Sequence, residues 1–257
     1  QSFRDSELRF LGRLHDRAQA IRAYHNLREA GFDNVSLDLI YGLPGQTARE
    51  LALSLEQLVE LEPRHVSTYC LSLADQVPLS AYKNRIPSDR VLALFYRKIR
   101  MQLTGSGYRQ YEISNFCSPG FHSRHNKAYW DGRYYLGLGP AAAGYLPGIR
   151  YHHPESLRIY EKMIRSGDIL SQREILNSSI LEKEYIMLKL RTSEGMMLAD
   201  YKRKFGFDFE IRFHHLLKKY DRSILPCQGG KLKISADYYF VSDEIIADFI
   251  AVIDSLE

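Results

Sequence analysis

The stretch at residues 34–47 (NVSLDLIYGLPGQT) restricts the fold most strongly, because it joins a strand pattern to a helix start through a short turn. Apolar residues at every second position from Val35 to Tyr41 are typical of a β-strand. The two glycines and the proline of residues 42–45 end this strand, since proline lacks the N–H that a ladder needs and glycine permits tight turning. Thr47 and Glu50 have the spacing of a capping box, which predicts that a helix begins here.

The segment that follows completes a βαβ unit. The predicted helix carries an apolar stripe made of Leu51, Leu55, Leu58 and Val59. Pro63 ends it, and residues 65–72 (HVSTYCLS) have the pattern of a second strand. A strand, a helix and a strand in this order predict two parallel neighbouring strands, with ligands expected at their carboxyl ends.

Asp38 is an unusual residue for the first of these strands. A carboxylate inside a parallel strand that is covered on both faces destabilises the fold unless a partner compensates its charge. Two explanations stay open. Asp38 is either a structural residue bonded to a neighbouring arginine, or it accepts hydrogen bonds from the hydroxyls or the amine of a bound ligand.

Further βα elements are predicted on both sides of this unit. We expect helices at residues 5–11 and 16–30, a polar loop at 74–87, a helix that begins after Ser88, and another strand at 108–116. Three parallel βα elements in a row are typical of half a (β/α) barrel or of an open doubly wound sheet, and sequence alone separates these two poorly.

The second half of the chain has a different pattern. Residues 117–145 are rich in aromatic residues, histidine and glycine and have no helical or strand period, which indicates a functional or strained segment. A short strand is expected near 149–153 and a helix at 154–166. Beyond a polar boundary near 168–177, the predicted helices lie at 181–190, 198–205, 209–220 and 243–256, and the predicted two-stranded wing at 231–234 and 238–241.

The helix-turn-helix-wing order raises the possibility of DNA binding, which the charge distribution disfavours. The 257 residues include 35 Lys and Arg against 31 Asp and Glu, a net charge of +4 with no polybasic tract. The predicted recognition helix at 209–220 is only modestly basic. We therefore expect no nucleic-acid partner.

The composition also bears on location and redox chemistry. No apolar run reaches the roughly 18–20 residues that a membrane span needs. The three cysteines, Cys70, Cys117 and Cys227, are isolated, so they form neither a disulfide framework nor a metal quartet. A cytoplasmic protein is expected.

Residues 122–130 (HSRHNKAYW) form the densest group of polar and aromatic side chains. A neutral His125 could bind a metal or a haem iron, and Asn126 could orient it. Tyr129 and Trp130 offer planar faces to a large flat ligand. A buried His–Asn pair that ties an irregular loop to the core, with the two aromatic residues packed inside, explains the same pattern, so both interpretations stay open.

Five motifs occur in a fixed order along the chain. They are the opening Gln1-Ser2-Phe3, then Gly12-Arg13, LDLIYGLPGQT, YEISNF and HNxxYW. In this order they resemble the radical S-adenosylmethionine family of oxygen-independent coproporphyrinogen III oxidases, and most closely its haem-chaperone branch. The resemblance runs from Gln1 to about Gly195 and continues weakly beyond, where KLRTSEGM is similar to a family segment.

The resemblance implies an α/β fold, with the C-terminal part of a partial (β/α) barrel over residues 1–170. A mostly helical, winged-helix-like domain is implied over 171–257. By motif position, Gln1, Arg13 and Asp38 match residues that contact S-adenosylmethionine: Gln1 and Asp38 its polar groups, Arg13 its carboxylate. Ser72 matches a position that touches the cofactor through its backbone.

The resemblance also assigns the HNxxYW residues to haem. His125, Asn126, Tyr129 and Trp130 inherit the haem-binding role, with His125 as the candidate ligand of the iron. The oxidases lack this motif, which is why the haem-chaperone branch fits better. We expect the cofactors of the full-length family to be S-adenosylmethionine, a 4Fe-4S cluster and haem, and this chain alone to hold none of them.

The chain departs from the family pattern in two places. The CxxxCxxC motif that binds the cluster is absent, so we expect a chain that begins after the cluster-binding segment. Ala143 stands where relatives commonly have a histidine, just beyond a short glycine turn at Gly137 and Gly139. A lone GxG is weak evidence for a binding site.

The leading functional hypothesis is a haem-binding chaperone that passes haem to a client haemoprotein, with a membrane-associated client and a homodimer among the expected partners. A homodimer or aggregation is expected because half a barrel leaves a strand edge open. The alternatives are oxidative decarboxylation of coproporphyrinogen III by the oxidase activity, and a nucleic-acid-binding winged helix. Turnover of porphyrinogen separates the first alternative from haem transfer without turnover.

Overall fold

The computed structural model describes residues 1–73, 78–170 and 172–256. They form two compact units, Gln1–Ser123 and Arg124–Glu257. Of the predicted polar loop at 74–87, residues 74–77 lie outside the described part, and Pro78–Arg85 form a 3-10 helix. Within the described residues, no helix combines the length and the apolar character that a membrane crossing requires.

The helices of the first unit follow the predicted pattern. They are α1 (Asp5–Phe10), α2 (Arg17–Glu29), α3 (Ala48–Glu60) and α4 (Asp89–Gly105). The predicted capping box of α3 is confirmed, because the Thr47 side chain accepts from the Glu50 N–H and the Glu50 side chain accepts from the Thr47 N–H. Asp16 and Gln19 form the same arrangement at the start of α2.

The sheet of the first unit confirms the βαβ prediction. Its strands are β1 (Ser36–Tyr41), β2 (His65–Cys70), β3 (Arg109–Gln110) and β4 (Asn115–Cys117), in the order β1-β2-β4-β3. β1 and β2 are parallel, and Asp38 lies opposite Ser67. The buried leucines of α3, Leu51, Leu55 and Leu58, and the buried Ile99 and Leu103 of α4 contribute to the core of this unit.

The prediction of one strand at 108–116, and with it a third parallel βα element, is wrong. β3 and β4 form a hairpin, and β4 runs antiparallel to β2. The chain reverses because the buried Glu112 carboxylate accepts from the Ser114 N–H at 3.1 Å and from the Asn115 side chain. No glycine or proline marks this turn in the sequence.

The first part of the second unit contains more regular structure than predicted. Its elements are α5 (Arg124–Trp130), β5 (Ala143–Leu146), β6 (Ile149–His152), α6 (Leu157–Ser166) and β7 (Arg173–Ile175). The three strands form an antiparallel sheet in the order β5-β6-β7, which confirms the short strand expected near 149–153. The prediction that 117–145 lacks helix and strand is wrong, since α5 and most of β5 lie within it.

The rest of the second unit resembles a winged helix. It comprises α7 (Ser178–Leu190), β8 (Met196–Met197), α8 (Leu198–Phe205), α9 (Phe209–Arg212), α10 (His214–Lys219), β9 (Cys227–Gln228), β10 (Lys231–Leu232) and α11 (Ser242–Asp254). The three strands pair in the order β8-β10-β9. Tyr201, Phe209, Phe213 and Phe249 form its aromatic core.

Two predictions for this region are wrong. The helix expected at 209–220 is broken at Phe213, because that buried residue leaves helical geometry and packs into the aromatic core. The second wing strand expected at 238–241 belongs instead to a 3-10 helix, Ala236–Val241, and β10 pairs with β9 across a turn of two glycines. Arg212 of the predicted recognition helix pairs with the buried Glu182 at 3.1 Å.

The compact units divide the chain at a different place from the predicted domains. The predicted boundary near residue 170 lies inside the second unit, where α5 packs against α7. The division into a barrel domain and a C-terminal domain at this boundary stays a prediction.

Candidate functional site

Asp38 is exposed and lies in the middle of β1. It is the third residue of a strand that continues to Tyr41, whose partner is Cys70 of β2. The expectation that Asp38 lies in a strand covered on both faces is therefore wrong. An exposed carboxylate needs no compensating partner, so it is available to a ligand.

Gln1 lies beside the strand that carries Asp38, and the role of Gln1, Arg13 and Asp38 in binding a cofactor stays a prediction. The Ile40 N–H of β1 donates to the Gln1 carbonyl at 2.8 Å, which places Gln1 along the outer edge of the strand. The Asp38 carboxylate and the Arg13 guanidinium both lie near enough to Gln1 to interact with it electrostatically. One anionic and one cationic side chain, Asp38 and Arg13, thus each lie near Gln1, and we call these three residues the cluster around Gln1.

Ser72 lies apart from this cluster. It is exposed and lies two residues beyond the end of β2, whereas Asp38 is level with Ser67. Five residues of extended chain correspond to about 16 Å. A role for the Ser72 backbone stays a prediction.

Hydrogen bonds between the first motif and the LPGQT turn hold the cluster in place. The buried Ser2 hydroxyl donates to the Glu7 carboxylate, to which Gln46 donates its amide at 3.0 Å. The Gln46 side chain in turn accepts from the Gly42 N–H at 2.9 Å, just after β1. The residues of these motifs therefore position Gln1 and Asp38.

His65 is a buried residue of this region that the sequence analysis did not select. Its Nδ1 lies 2.8 Å from the Ser36 hydroxyl and its Nε2 lies 2.7 Å from the Tyr111 hydroxyl. Burial lowers the pKa of the His65 imidazole, and the Asp38 carboxylate partly offsets this. The start of a strand rich in polar residues was the only signal for it in the sequence.

In the second unit, the HNxxYW motif forms most of α5. His125 and Tyr129 are four residues apart and therefore lie on one face of the helix, where their rings meet edge to face with centroids 4.9 Å apart. Tyr129 also meets Tyr135 edge to face at 4.7 Å. His125 and Tyr129 are exposed, whereas Asn126 and Trp130 are half-buried.

A cavity of about 280 Å³ lies beside this helix. Its aromatic lining is formed by Tyr129, Trp130, Tyr135, Tyr145 and Tyr185. Four basic side chains, each from a different region of the second unit, also line it: Arg133, Arg150, Lys189 and Lys204. We call this space the aromatic cleft. Planar faces combined with positive charge suit a flat ligand that carries negative groups.

Ion pairs fix two of the basic side chains of the aromatic cleft. Arg150 pairs with Glu184 of α7 and lies 3.4 Å from Glu174 of β7. Lys189 of α7 lies 3.4 Å from Asp131, the residue that follows α5. These pairs link the motif helix, the small sheet and α7 around the cleft.

The glycine turn at Gly137 and Gly139 is held by hydrogen bonds to two tyrosine side chains of the same unit. The Gly137 N–H donates to the Tyr151 hydroxyl at 2.9 Å, and the Gly139 N–H donates to the Tyr160 hydroxyl at 3.1 Å. A Cβ on Gly137 would collide with the carbonyl of Ala143. Close approach of two backbone segments at Gly137 and the positive φ of 101° at Gly139 thus explain the GxG pattern.

His153 is a second residue that the sequence analysis missed. It is buried between the rings of Tyr151 and Tyr160, and its Nδ1 donates to the Gly139 carbonyl at 3.1 Å. Its Nε2 has no hydrogen-bond partner in the described part of the chain. Its position beside the glycine turn indicates that it braces the turn, and Ala143 lies on the neighbouring strand opposite the exposed His152.

The cysteines of the chain do not fit a 4Fe-4S cluster. Cys117 lies opposite His65 at the start of β2 and Cys70 lies at the end of that strand, while Cys227 belongs to the second unit. Across residues 1–73, 78–170 and 172–256, no three His, Cys, Asp or Glu side chains form a group that could hold a metal ion. No chemical step is therefore assigned to a cluster held by these residues.

The chain is similar to several curated proteins, although no family model matches it. It is 36% identical over 214 residues to "Heme chaperone HemW" of Lactococcus lactis, covering 82% of this chain and 56% of that protein. It is 31% identical over 227 residues to the protein of the same name from Bacillus subtilis, covering 85% of this chain and 59% of the relative. The protein of the same name from Escherichia coli is 35% identical over 245 residues, covering 95% of this chain and 63% of that protein.

The chain spans little more than half the length of the curated relatives that it matches. Among solved structures, it is similar to the E. coli coproporphyrinogen III oxidase HemN, described as a radical SAM enzyme, with a TM-score of 0.79. That match covers 97% of this chain and 62% of HemN at 19% identity, so it bears on the fold alone. The predicted fold class, an α/β partial barrel followed by a winged-helix-like region, is confirmed.

The relatives and the fold agree with the family that the ordered motifs indicated. The resemblance is thereby confirmed, and this chain is a homologue of the heme chaperone HemW proteins with the fold of the radical SAM coproporphyrinogen III oxidase.

Proposed function

We propose that this chain forms the haem-binding part of a haem chaperone and that it captures haem at α5 and the aromatic cleft. The observation that carries the proposal is the arrangement of the HNxxYW motif. Its helix presents His125 and Tyr129 to solvent, while Tyr129 and Trp130 line the cleft. A ligand to iron and a surface for a planar ring are thus adjacent.

In this proposal His125 binds the haem iron through a ring nitrogen. Its exposure keeps that nitrogen accessible, and the edge-to-face contact with Tyr129 limits the rotation of the imidazole. Asn126 lies next to it on the same helix and helps to hold the local geometry. Tyr129 and Trp130 offer apolar ring surface to the porphyrin.

For the first unit, we propose that Gln1, Arg13 and Asp38 hold S-adenosylmethionine. Asp38 would accept from the ribose hydroxyls or the ammonium group, and Arg13 would meet the carboxylate. Their proximity supports the assignment, and the opposite charges of Arg13 and Asp38 match those of the amino-acid end of the cofactor.

The name that the relatives share, heme chaperone, supports a role in delivering haem. Haem bound at α5 would be passed to a client haemoprotein, which we propose to be membrane-associated, and a homodimer would be the functional form. S-adenosylmethionine and a cluster would then support haem delivery by the complete protein. The exposed position of His125 favours release, because a partner can approach the iron site from solvent.

An equilibrium haem titration followed by the Soret band tests this proposal. The unaltered chain should bind haem in a 1:1 complex, and His125→Ala should weaken binding by about tenfold or more, as expected for loss of a metal ligand. His25→Ala, which removes another exposed histidine from the first unit, should bind like the unaltered chain. Equal binding by all three proteins would refute the proposal.

A further inference from the structure

The charges around the aromatic cleft are unequally compensated. Arg150 and Lys189 have acidic partners, as described above. For Lys204 and Arg133, no ion pair with an acidic side chain is recorded among the described residues. A cation without an ion-pair partner beside an aromatic surface can bind a negative group of a ligand.

Lys204 is the better placed of these two cations. It lies on α8, and its ammonium lies 4.9 Å from the centroid of the Tyr185 ring and 5.5 Å from that of the Phe205 ring. Both distances are within the range of cation–π contacts, so the rings hold the ammonium in position. Both side chains are exposed, but Arg133 makes no cation–π contact within the described part of the chain.

The electrostatic surroundings of Lys204 agree with this position. Partial desolvation of the ammonium lowers the pKa of Lys204, the nearby Lys189 lowers it further, and Glu184 opposes the shift. A carboxylate that arrives at the ammonium would supply the missing compensation. A cationic ligand would meet unfavourable charge at the same place.

We infer that Lys204 binds a carboxylate of the planar ligand that occupies the aromatic cleft. The inference rests on the proposed function and extends it, since it assigns the ligand an orientation. The ligand class is a tetrapyrrole with free propionate groups, whose ring lies against the aromatic lining and whose propionate edge faces α8. A tetrapyrrole with esterified propionates lacks the group that Lys204 recognises.

The test uses protoporphyrin IX and its dimethyl ester, because neither contains iron and their binding does not depend on His125 as a ligand. Fluorescence titrations would compare the full chain with Lys204→Gln, with Lys204→Arg and with Lys218→Gln. Lys218 is an exposed lysine of α10 that does not line the cleft. Lys218→Gln therefore removes one positive charge at a position outside the cleft.

For the free acid, Lys204→Gln should weaken binding about tenfold, the effect expected when a charge-assisted hydrogen bond is lost. Lys204→Arg should keep most of the affinity and Lys218→Gln all of it. The dimethyl ester should bind all four proteins alike. The inference is overturned if Lys204→Gln binds the free acid normally, if it loses acid and ester equally, or if the unaltered chain binds no protoporphyrin.

The outcome is separable from that of the proposed function. A His125-dependent Soret band in the haem titration, together with normal binding of protoporphyrin IX to Lys204→Gln, would leave the haem site standing and remove only the role of Lys204. If the Soret band is the same with and without His125, while Lys204→Gln weakens binding of the free acid but not of the ester, the role of Lys204 stands and the role of His125 is removed.

Discussion

At the scale of single residues, His65 shows how a buried polar side chain ties the two ends of the first sheet together. Its two nitrogens lie within hydrogen-bond distance of Ser36 on β1 and of Tyr111 in the β3–β4 turn. Both bonds exist with a neutral ring, because each hydroxyl can either donate or accept. A proton on His65 would have to be buried as well, which is why its pKa is lowered.

The lowered pKa of His65 makes the stability of the folded chain depend on pH. In the unfolded chain His65 takes up its proton near its ordinary pKa of 6.5, whereas in the folded chain it does so at lower pH. The unfolded state therefore binds more protons below pH 6.5, and the contribution of His65 to the unfolding free energy falls as pH falls, by at most about 1.4 kcal/mol per pH unit. Above pH 6.5 the contribution is constant.

Urea unfolding measures this contribution when the unaltered chain is compared with His65→Gln. The comparison is made at pH 7.5, 6.5 and 5.5, which bracket the ordinary pKa by about one unit on each side. We expect the difference in unfolding free energy between the two proteins to shrink as the pH is lowered. A difference that stays constant or grows toward pH 5.5 would contradict the assigned direction of the shift.

At the scale of elements, those with strong local signals could be predicted from the sequence. α3 combines a capping box with a buried leucine stripe, and it begins where predicted. α5 has seven residues and none of them is buried, so no apolar stripe marks it. The four-residue spacing of His125 and Tyr129 was the one available sign of a helix.

Reversals of the chain were harder to predict than its helices. The β3–β4 hairpin depends on Glu112, which satisfies donors in its own turn, and the break at Phe213 depends on packing in the aromatic core. Both are set by contacts in three dimensions and not by residue periodicity. Apolar periodicity alone therefore predicted one strand and one helix that were each too long.

The β5–β6 hairpin supports a prediction at the same scale. A Cβ on Gly144 would overlap the ring of Tyr151, which is buried and bonded to the glycine turn. Gly144→Ala should lower the unfolding free energy by about 1–3 kcal/mol through overpacking.

Thermal or urea unfolding checks this value. Ala143→Ser changes the preceding residue of β5, whose side chain is exposed, and should alter stability by no more than about 0.5 kcal/mol. If Gly144→Ala were as stable as the unaltered chain, the close packing of Tyr151 on β5 would be wrong.

At the scale of the whole molecule, each proposed site lies within one compact unit. Gln1, Arg13 and Asp38 belong to the first, and the α5 motif with Lys204 belongs to the second. The resemblance of the ordered motifs is what linked Gln1, Arg13 and Asp38 in the sequence, and their shared role stays a prediction. The sequence could not connect Lys204 and Tyr185 with α5, since they lie more than fifty residues further along the chain and only folding brings them to the cleft.

The edge of the first sheet bears on the predicted homodimer. Val35 and Tyr41 accept hydrogen bonds from the β2 side, so by alternation the N–H groups of Ser36, Asp38 and Ile40 point away from β2. The Ile40 N–H is satisfied by Gln1. The other two have no backbone partner among the described residues, and we propose that a second copy of this chain adds a strand there.

Light scattering during gel filtration tests this directly. We expect a species of twice 29.8 kDa at high concentration. Ser36→Pro removes an outward N–H without breaking the β1–β2 ladder and should shift the equilibrium to monomer, whereas Ser36→Ala keeps the N–H and should not. A monomer at every concentration for the unaltered chain would contradict dimerisation through β1.

The central claim is that His125 on α5 binds the haem iron beside the aromatic cleft. Its most direct test is the electron paramagnetic resonance spectrum of ferric haem bound to the unaltered chain and to His125→Gly, with and without added imidazole. We predict that the substitution changes the ligand signature of the iron and that free imidazole, which fits the space left by the side chain, restores it. An unchanged spectrum in His125→Gly would show that the iron is held by another residue.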